Sequence, residues 1–292
     1  MPVQTIGRRL FDFDRQVAVM AIVNRTLDSF HDRGATFALE KAVDAGLEAA
    51  ELGADWVDIG GVPFGRGPAV SVAAEIDRVV PVIEAIAATS SVVISVDTNR
   101  AEVARAAIAA GAAVVNDTSG LGDPAMARAV AEGGAHVVIT HSVGPPRTEK
   151  PPAHFDDVVL EVRRFLAERV ARAEAAGVAR DRIIVDPGHD LDKNTLHSLE
   201  LTRRLGEITD LGLPVLAAVS NKDFVGESID RERGQRLAGS LAAMVACILN
   251  GARIVRVHDV AAAVDAARMT EAVLGMRAPA WLVHNTHPSH NV

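Results

Sequence analysis

Aromatic residues are scarce in this sequence. Phe, Trp and Tyr make up 3% of its 292 positions, and tyrosine is absent. A core must therefore be built from small and aliphatic side chains, within an apolar content of 49%. Cysteine is nearly absent too. Cys247 stands alone inside "LAAMVACILNG", so no disulfide can form within the chain, and the residue reads as a small buried apolar group. This fits a reducing compartment, and a cytoplasmic protein is expected. Excess positive charge is also missing. The formal net charge of −8 argues against nucleic acid as the main partner, because phosphate binding needs clustered Lys and Arg. "MPVQTIGRRL" has no apolar leader region. Charges interrupt every apolar run before about 18 residues, so no membrane association is expected.

What is present is regular. Eight short apolar runs alternate with longer Ala/Leu/Glu/Arg segments of helical period. The runs end near Asn24, Gly61, Thr98, Asp117, His141, Asp186, Lys222 and His258. "FALEKAVDAGLEAAELG" and "RAEVARAAIAAG" end in glycine, a common helix stop. Strands apolar on both faces belong to a parallel sheet covered by helices. Eight such units predict a closed (β/α)8 TIM barrel. An open doubly wound sheet is the alternative, but the first turn, "NRTLDSFHDRG", lacks G-x-G-x-x-G. We expect one domain over 1–292, with the barrel at about 17–278 and a tail at 279–292. In that tail His284, His287 and His290 read as solvated residues rather than metal ligands.

In a barrel, residues at the C-terminal strand ends line the active mouth. Here those are Asn24, Asp58, Asp97, Asn116, Asp117, His141, Asp186, Ser220, Lys222, Arg256 and His258. Any one could cap the next helix, as Asp97-Thr98 could. Nearly every strand ending this way points instead to a polar ligand. Carboxylates and an amide can match a flat heterocycle. Arg256 can stack on a ring or fork onto a phosphate. Asn24 offers an oxygen of the kind Mg²⁺ takes beside phosphates. Neither a zinc signature nor a Ser-His-Asp set is evident. "DIGGVPFGRG", residues 58–67, looks at first like a loop built to hold an anion.

These blocks resemble the dihydropteroate synthase family. "IVNRTLDSFHDRG", "GADWVDIGG", "ISVDTNRAEVARAAIAAGAAVVND", "DPGHDLDKNTLH", "PVLAAVSNKDFVGE" and "ARIVRVHDV" fall in family order, from about Met20 to Val260. The resemblance implies a pterin-binding barrel of folate synthesis. That family joins 4-aminobenzoate to a dihydropterin methyl pyrophosphate and releases pyrophosphate. By resemblance, Asp97, Asn116, Asp186 and Lys222 hydrogen-bond the pterin and Arg256 stacks on it. Asn24, Arg256 and His258 hold the pyrophosphate, joined by Arg66, with Mg²⁺ beside Asn24. Asp28, Ser29 and Phe30 belong to a first loop that closes over the reaction. Asp28, Lys222, Arg256 and His258 are the implied catalytic set. Sulfone- or sulfonamide-like ligands and a homodimer are further implied partners.

The departures fall on the anion-holding side. Where the family has G-G-E-S-T-R-P-G, this chain has Gly60-Gly61-Val62-Pro63-Phe64-Gly65-Arg66-Gly67. "SNKDF" replaces S-R-K-S-F, putting Asn221 for an Arg and Asp223 for a Ser. His189, Asp190 and Leu191 stand where Gly and aromatic residues are common, and Ser142 replaces a methionine. Two cations are lost and two carboxylates gained. Each lost charge-assisted hydrogen bond costs about 1.5–3 kcal/mol. The pattern is similar to the second, mycobacterial-type paralogue of the family, which implies weak or no standard activity. Two other readings stand beside it: a working synthase in which Arg66 replaces the missing arginine, and a non-catalytic regulatory or partner-binding barrel. A related barrel that passes methyl groups to a corrinoid has nothing to mark its partner domain.

Overall fold

The computed structural model describes residues 3–25, 38–63, 67–144, 147–148 and 152–284. The chain opens with a two-stranded antiparallel hairpin, β1 (Gln4–Ile6) and β2 (Arg9–Phe11). The repeat then begins with β3 (Ala18–Asn24), α1 (Leu39–Glu51), β4 (Trp56–Gly60), α2 (Val72–Thr89), β5 (Val93–Asp97) and α3 (Ala101–Ala110). It continues with β6 (Val114–Asp117), α4 (Met126–Gly133), β7 (His136–Thr140), α5 (Val158–Ala175), β8 (Ile183–Asp186), α6 (Thr195–Arg203) and α7 (Gly206–Thr209). It ends with β9 (Leu216–Ala217), α8 (Asp223–Ile229), α9 (Leu237–Leu249), β10 (Ile254–Val257) and α10 (Val260–Val273).

Eight parallel strands run in the order β8-β7-β6-β5-β4-β3-β10-β9. A parallel bridge from Val185 to Val215 joins the two ends. The molecule is a (β/α)8 TIM barrel, as the alternating runs predict. Left-handed glycines end two helices: Gly111 (φ 118°) ends α3 as expected, and Gly134 (φ 67°) ends α4, whereas α1 is capped by Leu52, one residue before Gly53.

Strand periodicity sorts the side chains into two cores. Val57, Ile59, Val96, Val115, Ile139 and Val185 pack outward against the helices. Ala18, Met20, Trp56, Val93, Val114, Val138, Ile184, Leu216 and Ile254 fill the barrel's lower interior. The hairpin closes that end. Ile6, Phe11 and Phe13 join the interior cluster, with Phe11 edge-on to Trp56 at 5.6 Å and stacked on Phe13 at 5.8 Å. Much of the small aromatic content is thus spent on one plug. Sequence reading missed the hairpin, because three-residue strands are too short to show a period.

Candidate active site

Above the plug, the inward positions turn polar. Residues two apart on a strand share a face, so Trp56 places Asp58 inward, Val93 places Ser95 and Asp97, and Val114 places Asn116. In the same way Val138 places Thr140, Ile184 places Asp186, and Ile254 places Arg256. Asn24 ends β3 in register with Gly60. A Cβ at residue 60 would stand 2.9 Å from Asn24 Oδ1, so a larger residue there would displace the Asn24 side chain.

The interior groups form one network. Asp58 is fully buried and accepts from Ser95 Oγ (2.6 Å), Asn116 Nδ2 (2.9 Å) and Arg256 Nε (2.7 Å). Arg256 reaches from β10 past β3 and also gives Nη2 to Asp97 Oδ2 at 2.9 Å. Burial pushes the Asp97 carboxyl up to about 7, against the pull of Arg256. Asp186 is buried and accepts from Gly188 N at 2.7 Å. Burial raises it to about 6, opposed by that bond and by the charges of Lys222, Lys193 and Arg256. On the far side His258 Nδ1 lies 3.1 Å from Ser220 Oγ. Thr140 Oγ1 and His189 Nδ1 are buried with no hydrogen-bond partner among the described residues.

The structure decides one alternative and corrects two expectations. Asp97-Thr98 caps no helix: α3 starts after Arg100, Ala101 N donates to Asp123 Oδ2 (2.8 Å), and Thr98 Oγ1 donates to Glu75. Asp117 points away from the interior, because Asn116 takes the inward position. Its carboxylate holds the following turn through Ser119 N (2.8 Å) and Leu121 N (3.0 Å). His141 likewise follows inward Thr140 and lies outside, edge-on to Phe165 at 4.7 Å. There the buried Lys193 ammonium approaches His141 Nδ1 at 2.9 Å and donates to the carbonyls of Gly188 (2.9 Å) and Leu191 (3.0 Å). Burial pulls His141 down to about 3 and Lys193 down to about 7, so the imidazole stays neutral and accepts from the ammonium, whose three N–H groups match these three acceptors. Residue types alone could not separate inward from outward groups, because both strand faces are apolar: Val115 and Ile139 stand two before Asp117 and His141 just as Val114 and Val138 stand two before Asn116 and Thr140.

The rim is built differently. Asn221 adopts the left-handed region (φ 58°), which suits Asn better than most side chains. Arg236 Nη1 locks this turn by donating to Asn221 O (3.0 Å) and Lys222 O (3.1 Å). Asp223 is not a bare carboxylate facing an anion. Arg236 (2.8 Å) and Arg233 (3.1 Å) pair with it and hold its pKa below the usual range. Asp190 accepts from the Asp223 and Phe224 backbone N–H groups at the start of α8. Burial lowers Lys222, and Asp190 is the foremost carboxylate sustaining its charge.

Around the second loop, arginine donors go to backbone carbonyls. Arg147 bonds Pro63 O and, at 3.1 Å, Pro68 O. Arg78 bonds Gly61 O (2.8 Å), and Arg25 bonds Asp77 O (3.1 Å) and Arg78 O (3.0 Å). Arg66, Asp28, Ser29, Phe30, His287 and His290 lie outside the described residues.

Among the described residues no group of three or more His, Cys, Asp or Glu could hold a metal. The Asn24 amide oxygen fits an ion that draws its other ligands from water and a substrate phosphate, which is how Mg²⁺ commonly binds.

Comparison with known proteins agrees with this geometry. The family described as pterin binding enzyme matches residues 20–258. "Inactive dihydropteroate synthase 2" of Mycobacterium leprae is 47% identical over 272 residues, covering 91% of this chain and 93% of that one. The dihydropteroate synthase of Escherichia coli is 41% identical over 260 residues, covering 89% and 92%. The Xanthomonas albilineans dihydropteroate synthase in complex with 7,8-dihydropteroate superposes with a TM-score of 0.83 at 44% identity, covering 94% and 99%. With the whole barrel matched in this way, the chain belongs to the pterin-binding family and is a dihydropteroate synthase homologue of the folate pathway.

Proposed function

We propose that the protein binds a reduced pterin in the barrel mouth and has weak or no standard dihydropteroate synthase activity. The carrying observation is the contrast between an inward polar floor of Asp97, Asn116, Asp186 and Arg256 and a rim where, among the described residues, Arg78, Arg147 and Arg236 bond backbone carbonyls and Asp223. Asp186, ionised above about pH 6, would accept N–H groups from the pterin edge. Asn116 would add an amide contact, and Lys222 a donor. To stack on the ring, the Arg256 plane needs to stay level, and Asp58 and Asp97 fix it by two side-on bonds.

Transfer to 4-aminobenzoate asks more of the site. As pyrophosphate leaves, negative charge builds at the rim, and donors must already stand there. Asn24 and His258 supply the candidate contacts, and Asn24 would take part in holding Mg²⁺. Bound with substrate, Mg²⁺ would neutralise charge on the pyrophosphate oxygens. Arg256 is already committed to two carboxylates, and Asp190 offsets the charge of Lys222. This supports slow or absent turnover. The name of the Mycobacterium leprae relative points the same way. The homodimer implied by resemblance would use exposed apolar positions such as Leu249 of α9 and Met269 and Val273 of α10. No helix among the described residues is long and apolar enough to cross a membrane.

The test is an assay with the pterin pyrophosphate, 4-aminobenzoate and Mg²⁺, run beside calorimetry with unsubstituted pterin. Binding without appreciable turnover is expected. Turnover near that of an ordinary synthase, lost in Arg66→Ala, overturns the reading in favour of a working enzyme. Absence of pterin binding favours a non-catalytic partner-binding barrel.

A further inference from the structure

We propose that Thr140 is a ligand-reading residue whose hydroxyl hydrogen-bonds the same edge of the bound heterocycle as Asp186. The inference rests on the pterin reading above and adds a contact to it. Thr140 ends β7 and pairs in register with Asp186 at the end of β8. Val138, two residues earlier, lies in the barrel interior, and so does Ile184, two before Asp186. The side chains of Thr140 and Asp186 therefore stand next to each other on the inner wall. Asn116 lies one step below, since it pairs with Val138.

Thr140 is fully buried, and its Oγ1 has no hydrogen-bond partner among the described residues. An orphaned buried hydroxyl is uncommon and costs the protein free energy. The bonds of its neighbours run elsewhere: Asn116 Nδ2 donates to Asp58, and Asp186 Oδ1 accepts from Gly188 N. Valine would fill the same volume at no such cost, so the hydroxyl is accounted for by a group that arrives from outside. A hydroxyl both donates and accepts. It suits a fused pyrimidine-type heterocycle, whose ring nitrogens, carbonyl and amino group alternate along one edge. Asp186 then takes the N–H groups, and Thr140 the neighbouring acceptor or donor.

Calorimetry with unsubstituted pterin tests this in Thr140→Val and Thr140→Ser, each with a melting curve. Thr140→Val removes only the unsatisfied oxygen, so its melting temperature is expected to equal or exceed that of the parent. Its affinity is expected to fall about threefold to tenfold, the worth of one neutral hydrogen bond. Thr140→Ser keeps the hydroxyl and is expected to bind within about twofold of the parent, given the same scale. Unchanged affinity in Thr140→Val overturns the proposal while leaving the pterin reading intact. Equal losses in both variants also overturn it, because packing rather than the hydroxyl would then be responsible. Failure of the parent protein to bind pterin overturns the reading of the site, and this inference with it.

Discussion

The floor and the rim of this barrel solve opposite problems. On the floor, charges face one another across a narrow interior and each is answered by a specific side chain: Asp58 by Ser95, Asn116 and Arg256, and Asp97 by Arg256. At the rim, guanidinium groups answer backbone carbonyls and hold loop shape, as Arg236 does at Asn221 and Arg147 at Pro68. A floor of that kind is organised before a ligand arrives. Among the described residues, a rim of that kind keeps its loops in place with donors that would otherwise face a departing anion. The difference teaches that arginine content near a mouth is a poor guide to anion binding until each donor's partner is known.

Breaking the floor has the largest expected effect. Asp58→Ala leaves Arg256, Asn116 and Ser95 without their shared acceptor. Removing one partner of a buried ion pair costs about 3–5 kcal/mol, so urea unfolding is expected to show a loss of that order. Asp186→Ala comes next. It takes away charge-assisted bonds worth about 1.5–3 kcal/mol, so pterin affinity in calorimetry is expected to drop about tenfold to 150-fold. The pH dependence is subtler. The ionised Asp186 accepts and the protonated form does not, and its carboxyl sits at about 6. Through Asp186, pterin affinity is thus expected to decline as pH falls through that value, by at most about tenfold per unit, below any separate step from Asp97, whose carboxyl sits at about 7. Asp186→Asn removes the step near 6. The smallest effect belongs to the rim. Asp223 is 56% exposed and paired with Arg236 and Arg233. Asp223→Asn is expected to cost about 1 kcal/mol or less in stability and to leave pterin affinity unchanged.

The barrel was legible because its signal is repeated. Eight apolar runs with polar ends, such as "SVVISVDT" and "RIIVDPG", each report the same strand-to-loop change. The inner wall was partly legible: Asp97, Asn116, Asp186 and Arg256 stand at strand ends and face inward. Asp117 and His141 carried the same surface signal and face outward, because a one-residue step on a strand reverses the side. The hub role of Asp58 was hidden for another reason. It depends on Ser95, Asn116 and Arg256, up to 198 positions away in sequence. The neutralisation of Asp223 was hidden in the same way, since Arg236 lies on the next turn of chain and its direction is set by packing. "DIGGVPFGRG" splits between the two regions: Asp58 serves the floor, while Gly61 and Pro63 are held by Arg78 and Arg147 at the rim.

The most direct measurement compares two ligands in one calorimeter: the plain pterin, and its methyl pyrophosphate with Mg²⁺. A rim that grips the anion through even one charge-assisted bond would add about 1.5–3 kcal/mol, or at least about tenfold in affinity. The floor-without-grip account predicts that both ligands bind, with dissociation constants within about threefold of each other. A pyrophosphate ester bound tenfold or more tightly than the pterin would contradict it.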